Sequence, residues 1–448
     1  MIERLKAIFF GKEPVDSEQN LSKELHYSDI FVAGGFPLHT YNPRQSLNLE
    51  SKLQQIHHNL CKLITVTGHT KSGKTVLVEK IIPRETSVWI EGGSIGKENE
   101  FWENILNEID LFETVVSESG SIISTDLSAS LSVEGGVGIA KAGSSVNSKV
   151  EASENKTETK SRTVSPKVAA IDGLRMKKIP LVIDDFHYLP KDLQEKIVRA
   201  LKQPIYTGVP VVIIAIPHHR YDVIKIEKEM SARIFQIQIP LWKEKELQYI
   251  PETGFNILNV ELNPKLIEIL AKESIGSPHL MQDFCRLICQ IKKINTPCAD
   301  KRILDITDNE LESIFIEMAE SIGRPIFDKL ARGPRQRSDR KARILKNGET
   351  VDIYQLVLLA MAHLKPGLVS LEYEELRTAI KEISAEQTPS IQEVARVLKM
   401  MALIATSDRS SAPVIDFDEE DKLLHVTDPY FAFYLRWGTR TSDISLPK

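Results

Sequence analysis

The stretch "GHTKSGKT" at residues 68–75 constrains this chain more than any other. It has the form G-x-x-x-x-G-K-[ST]. Such a loop needs a strand before it and a helix after it, because its backbone N–H groups converge on phosphate oxygens at the helix N-terminus. Both flanks are present. "KLITVTG" is a β-branched run that reads as a buried strand, and "KTVLVEKII" carries apolar residues at helical spacing. Gly68 and Gly73 let the backbone curl, and His69, Thr70, Lys71 and Ser72 fill the loop between them. Lys74 is placed for the β- and γ-phosphates, Thr75 for Mg²⁺ through its hydroxyl, and Val76 for the first turn beneath the nucleotide.

A second acid-bearing strand follows. "IPLVIDDFHYLP" (179–190) is an apolar run ending in two carboxylates. Asp184, at the tip, is the expected partner of Mg²⁺, and Asp185 the residue that orients or activates an attacking water. Further strands are expected at 61–67, 86–90, 211–216 and 233–239, alternating with helical patterns. The prediction is an α/β fold, a P-loop NTPase parallel sheet with helices on both faces. The guanine-reading N-K-x-D and the transporter-type L-S-G-G-Q are both missing from the sequence. That leaves ATP as the expected nucleotide and ATP hydrolysis as the expected activity.

Composition narrows the setting. With 448 residues the chain has room for roughly two to three domains. A net charge of −5 argues against a protein wholly devoted to coating nucleic acid, while leaving room for a local basic face. No run approaches the roughly 18 apolar residues of a membrane helix. "MIERLKAIFFGKEP" at the start has one short apolar patch and no cleavable signal pattern, so a cytoplasmic location is expected. Cys285 and Cys289 fall on one face of a helical pattern, and with His279 and Cys298 they match no zinc spacing. Reduced core cysteines are the expectation for these and for Cys61.

Three later stretches carry a resemblance. "VPVVIIAIPHHRYDV" (209–223) is the strand that should follow the acid pair, with Pro217, His218, His219 and Arg220 at its tip. "MSARIFQIQIP" (230–240) is similar to the segment that carries an arginine finger in AAA+ proteins, and "ESIGSPHLMQDF" (273–284) looks like the start of a lid helix. The chain resembles AAA+ and STAND-type ATPases, including prokaryotic and archaeal ones whose chains end much like "DPYFAFYLRW" here. The resemblance implies a leader on the adenine side (1–55), an ATPase core (56–245), a helical lid (246–330) and a C-terminal winged-helix-like domain (331–448). It implies Arg233 as a finger from the same or a neighbouring subunit, with His218, Arg220 and His279 as sensor candidates. Pro278, which reads equally as a plain helix-opening proline, stands where such proteins touch nucleotide, and Tyr41 and Arg44 stand near the adenine. The aromatic residues Tyr430, Phe431, Phe433, Tyr434 and Trp437 read as core packing.

The implied function is a switch that assembles into a homo-oligomer or changes state with ATP, in a regulatory or antiviral defence role with a partner effector. Two segments keep other functions open. "RPIFDKLARGPRQRSDRKARILKNG" (324–348) holds nine Lys or Arg against two Asp, which suits duplex DNA beside a winged helix, a solvated linker, or an acidic neighbour. Residues 117–165 form an insertion rich in Ser and Gly. It reads as a loop, as a soluble hairpin turning at "EGG", or as strands acting at a membrane, in that order.

Overall fold

Alternation along the strands builds two apolar layers from one sheet. The computed structural model describes residues 25–58, 61–109, 165–216, 233–335, 340–365, 367–368, 370–406, 413–419 and 421–440. Strand β1 (Leu63–Gly68) enters the phosphate loop and helix α1 (Lys74–Ile81) leaves it. There follow β2 (Val88–Glu91), α2 (Glu98–Glu108), α3 (Pro166–Lys177), β3 (Leu181–Asp184), α4 (Lys191–Tyr206), β4 (Val211–Ala215) and β5 (Ile234–Ile239). All pair in parallel in the order β2-β3-β4-β1-β5. Leu63, Val88, Ile90, Leu181, Ile183, Val211 and Ile213 pack one face against Phe101, Trp102, Ile197 and Leu201. The intervening Ile64, Val66, Val182, Val212 and Ile214 pack the other against Leu53, Leu77 and Val78. Period-two alternation thus covers both faces, as a parallel sheet requires. The five expected strands stand where the sequence reading put them, with ends displaced by a residue or two.

The rest of the chain is mostly helical. Helix α5 (Glu244–Ile257) is followed by β6 (Val260–Leu262), α6 (Pro264–Glu273), α7 (Pro278–Ile291), β7 (Arg302–Leu304) and the long α8 (Asp308–Arg332). Then come the short antiparallel pair β8 (Arg343–Ile344) and β9 (Thr350–Val351), α9 (Ile353–Leu364), β10 (Ser370–Glu372), α10 (Tyr373–Ile383) and α11 (Ile391–Thr406). Strands β11 (Ile415–Asp418) and β12 (Leu423–Val426) and helix α12 (Pro429–Trp437) close the described chain. β10, β12 and β11 form an antiparallel sheet in that order. One apolar cluster runs without a break from Leu247 through Phe284, Phe315 and Leu359 to Leu435, and also takes in Ile30 and Phe31 of the leader. Cys285 and Cys289 lie inside it, and burial pushes the Cys289 thiol up to about 12.

The basic run serves this packing. Arg340 pairs with Asp352, donates to the carbonyls of Arg332 and Pro334 at 2.6 and 2.8 Å, and lies over the Tyr354 ring. It thereby joins the C-terminal end of α8 to the N-cap of α9. Arg343, itself buried, pairs with Glu393 on α11, and Arg324 with Glu320 on its own helix. Residues 117–164 of the insertion lie outside the described residues, and its last residue, Ser165, caps α3 by accepting from the Val168 N–H.

Helices α8 and α12 touch at Gly323. A Cβ there would stand 2.2 Å from the Cβ of Tyr434, and neither helix backbone can yield cheaply. Gly323→Ala is expected to destabilise the protein by about 1–3 kcal/mol through overpacking. Urea or thermal unfolding reads this directly, and an unchanged midpoint would mean that the two helices are not in contact here.

Candidate nucleotide site

The loop after β1 turns through two left-handed residues, Lys71 (φ 58°) and Gly73 (φ 88°). Glycine occupies that region freely, whereas a lysine there costs about 1–2 kcal/mol. Lys74 then opens α1, where its Nζ donates to the carbonyl of His69 at 2.9 Å. Burial lowers the Lys74 ammonium to about 8 against the opposing pull of Asp185 and Asp184. The neighbouring Thr75 reaches across to β3, its Oγ1 donating to Asp184 Oδ2 at 2.8 Å. The other carboxylate oxygen accepts the backbone N–H of Asp185 at 2.8 Å. Asp185 itself sits at φ 49°, and burial, reinforced by the charge of Asp184, pushes its carboxyl up to about 6.

Sequence reasoning missed a third acid. Glu91 ends β2 directly opposite Asp184 in the parallel register, and burial and the Asp184 charge raise its carboxyl. Only strand register reveals it. Among the described residues no group of three or more His, Cys, Asp or Glu side chains can hold a metal by itself. The Thr75–Asp184 pair nonetheless suits Mg²⁺, whose octahedral shell is commonly filled by one or two protein oxygens plus phosphate and water.

A cavity of about 710 Å³ opens above this loop. Thr70, Lys71, Gly73, Lys74, Thr75 and Val76 line it, as does Asp185, while Gly68, His69 and Ser72 do not. Helix α7 begins at the loop's crest. Ser277, its N-cap, donates to the Lys71 carbonyl at 3.3 Å, and Trp242 Nε1 donates to the Ser72 carbonyl at 2.9 Å. Pro278 and His279 follow on the first turn and both line the cavity. Tyr41 lines it from the leader, its hydroxyl donating to Glu50 at 2.8 Å.

Arg44 corrects the expectation of an adenine contact. Its side chain is buried, donating to the carbonyls of Pro240 and Leu241 at 3.0 and 3.1 Å and pairing with Glu246 at 2.8 Å. It is a strap between the leader and the entrance to α5. Arg233 lies far from the loop. It precedes Ile234, which pairs with Leu63 at the opening of β1, whereas Gly68 pairs with Ile239 at the other end. About 3.3 Å per strand residue puts some 16–20 Å between Arg233 and its own phosphate loop. There its guanidinium lies over the exposed ring of Tyr206, 5.1 Å from the centroid. Pro217, His218, His219 and Arg220 lie outside the described residues.

The C-terminal segment also reaches the loop. Asp428 caps α12 by accepting the N–H groups of Tyr430 and Phe431 on Oδ1, and its Oδ2 pairs with Lys71 Nζ at 2.5 Å. The same ammonium stands 4.2 Å from the Tyr430 ring centroid. The Tyr430 hydroxyl donates to Asp283 on α7, and His279 meets the Tyr430 ring edge-on. Tyr430 and Phe431, read from sequence as core, are buried as expected but line the cavity too. No sequence pattern marks a contact between positions 71 and 428.

The fold has counterparts among solved structures. A Walker-type ATPase of Pyrococcus abyssi is similar with a TM-score of 0.50 at 13% identity, over 93% of this chain and 99% of that one. The ORC2 protein of Aeropyrum pernix matches with a TM-score of 0.46 at 12% identity, over 91% and 95%. The RuvB branch migration motor of Thermotoga maritima gives 0.35 at 14%, over 85% and 91%. No family model matches the sequence, and no curated protein matches it. At such identities the likeness concerns the fold alone, a P-loop NTPase α/β fold.

The strap role of Arg44 has a measurable consequence in ligand-free protein. Arg44→Met removes charge-assisted hydrogen bonds to buried acceptors and is expected to cost about 1.5–3 kcal/mol by chemical denaturation. A residue that merely faced a ligand would leave that stability unmoved.

Proposed function

We propose that this chain is an ATPase of the AAA+/STAND type that changes state with the nucleotide it holds. The observation that carries the proposal is the composition of the cavity wall. The phosphate loop, the start of α7 and the C-terminal segment all contribute side chains to one cavity, and Lys71 is ion-paired across it to Asp428. A triphosphate on the loop competes with Asp428 for that ammonium, so loading is felt by the C-terminal segment at once. Lys74 and the loop amides hold phosphate oxygens. Thr75 and Asp184 would hold Mg²⁺, which when bound neutralises charge on the phosphates. Asp185, facing the cavity, positions the attacking water and accepts its proton.

Arg233 is proposed to act on a neighbour's nucleotide, since it stands at the far end of its own sheet. That requires a homo-oligomer, and a planar guanidinium that stays charged suits the task. The segment from α9 to β12 has the helix–strand–helix–helix–strand–strand order of a winged helix, and we assign it as one. Its use as a duplex reader is not favoured. The wing sequence "IDFDEEDK" (415–422) sets five acids against one lysine, and Lys399 on α11 is paired to Glu419 at 2.6 Å. Such a surface repels phosphate. It suits an intramolecular or protein-facing role, in keeping with a regulatory or defence switch that has a partner effector.

Two measurements test this reading. Asp428→Asn keeps an amide oxygen for the cap and deletes the ion pair, so the folded protein is expected to bind ATP roughly fivefold tighter, the worth of one partly exposed pair at about 1 kcal/mol. Unaltered affinity removes the competition. Arg233→Ala is expected to leave ATP binding intact and to lower turnover at least about tenfold. Wild-type activity per mole should rise with protein concentration, and molar mass should rise with a slowly hydrolysed ATP analogue. Concentration-independent turnover, untouched by the substitution, refutes a finger acting between subunits.

A further inference from the structure

Among the described residues, Gln282 is one of the cavity-wall side chains with a buried polar atom left unbonded; Thr70, on the phosphate loop, is another. Gln282 stands on α7 one turn beyond Pro278, only 3% exposed, and lines the cavity. Its neighbours fix which way the amide points. The Gln282 Nε2 contacts Thr40 Oγ1 at 2.7 Å, and Thr40 Oγ1 donates its single hydrogen to the Ile30 carbonyl at 3.1 Å. Thr40 is the donor to the Ile30 carbonyl among the described residues; with its hydrogen kept there the hydroxyl accepts, and the group facing it is the NH₂. Gln282 Oε1 is therefore the remaining group. It is buried and has no hydrogen-bond partner among the described residues.

Position says which part of a nucleotide would meet it. Helix α7 starts on the crest of the phosphate loop, where Ser277 bonds to Lys71. At 1.5 Å per residue Gln282 lies about 7 Å further along, away from the phosphates. The same cavity is also lined by Val32 and Ala33 of the leader, Ile250 of α5 and Pro278, apolar surfaces fit for a flat heterocycle. A lone acceptor in such surroundings calls for an N–H donor.

We propose that Gln282 determines base specificity, its Oε1 accepting a hydrogen bond from the exocyclic 6-amino group of adenine. This rests on the nucleotide reading given above and assigns the residue that selects the base. A 6-oxo purine in the same pose sets an oxygen acceptor against the Gln282 acceptor, and a purine with hydrogen at position 6 leaves Oε1 unbonded. Discrimination comes from the buried group left unpaired by the wrong base.

The test is a cycle between protein and ligand. Full-length protein, wild type and Gln282→Met, is titrated with ATP, with the 6-unsubstituted purine riboside triphosphate and with inosine triphosphate. Wild type is expected to prefer ATP over the 6-unsubstituted analogue roughly tenfold, the worth of one hydrogen bond to a buried acceptor, and over inosine triphosphate by more. Gln282→Met is expected to bind ATP and the 6-unsubstituted analogue alike. Equal wild-type affinities for those two overturn the assignment without recourse to the variant, and so does a preference that survives the substitution. Failure of wild type to bind any of the three nucleotides overturns the nucleotide reading itself, a result distinct from the other two.

Discussion

The hydrogen bond from Thr75 to Asp184 is the contact on which the rest of this molecule depends. It joins the first turn of the helix after the phosphate loop to the tip of a strand more than a hundred residues later. It can form only because β4 lies between β1 and β3 and carries both strand ends to the same edge of the sheet. The two apolar layers hold that order, and their residues are buried almost without exception. The polar tips emerge where the layers end. Glu91, Asp184 and Asp185 then crowd one another, and Gly92 is what admits the crowding, since a Cβ there would lie 2.5 Å from the Asp185 carbonyl oxygen.

Around that fixed point the chain brings three later polar contacts to the loop, besides the Tyr430 ring over Lys71. Trp242 and Ser277 each donate to a loop carbonyl, and Asp428 takes the Lys71 ammonium. Polar contacts of this kind are directional and exchangeable, because a competing anion or a rotated donor replaces one at small net cost. The apolar cores, by contrast, resist partial separation. The apolar cores and the exchangeable polar contacts therefore meet at the cavity wall. Lys71 marks that meeting most clearly, as a lysine held in a backbone region that glycine occupies with less strain.

Much of the fold was legible in the sequence because it rests on local pattern. The phosphate loop, the acid-tipped strand and five β-branched runs announce themselves within windows of ten residues, and the sheet follows from them. Pro278, His279 and Tyr41 were singled out by resemblance, and the structure does put them on the cavity wall. What stayed illegible is what depends on distant register. Glu91 gains meaning only when β2 is laid beside β3, and Asp428 only when the start of α12 meets the loop. Arg44 looked available to a ligand because sequence cannot reveal that two backbone carbonyls and Glu246 would claim its guanidinium. Gln282 shares the inward face of its helix with Met281, Phe284 and Cys285, and no sequence pattern marks it as a ligand contact.

The unbroken apolar cluster from α5 to α12 ties the cavity wall on α7 to the C-terminal segment. Segments that share one close-packed interior cannot swivel past each other without exposing it. Helix α7 and the antiparallel sheet share that interior through Phe284, Leu371, Ile415 and Leu424. The short stretch Pro240–Lys243 joins β5 to α5, and there Arg44 grips the carbonyls and Trp242 touches the loop. Val414 and Asp428, which flank β11 and β12, both line the cavity, so the antiparallel sheet is rooted at the nucleotide site itself.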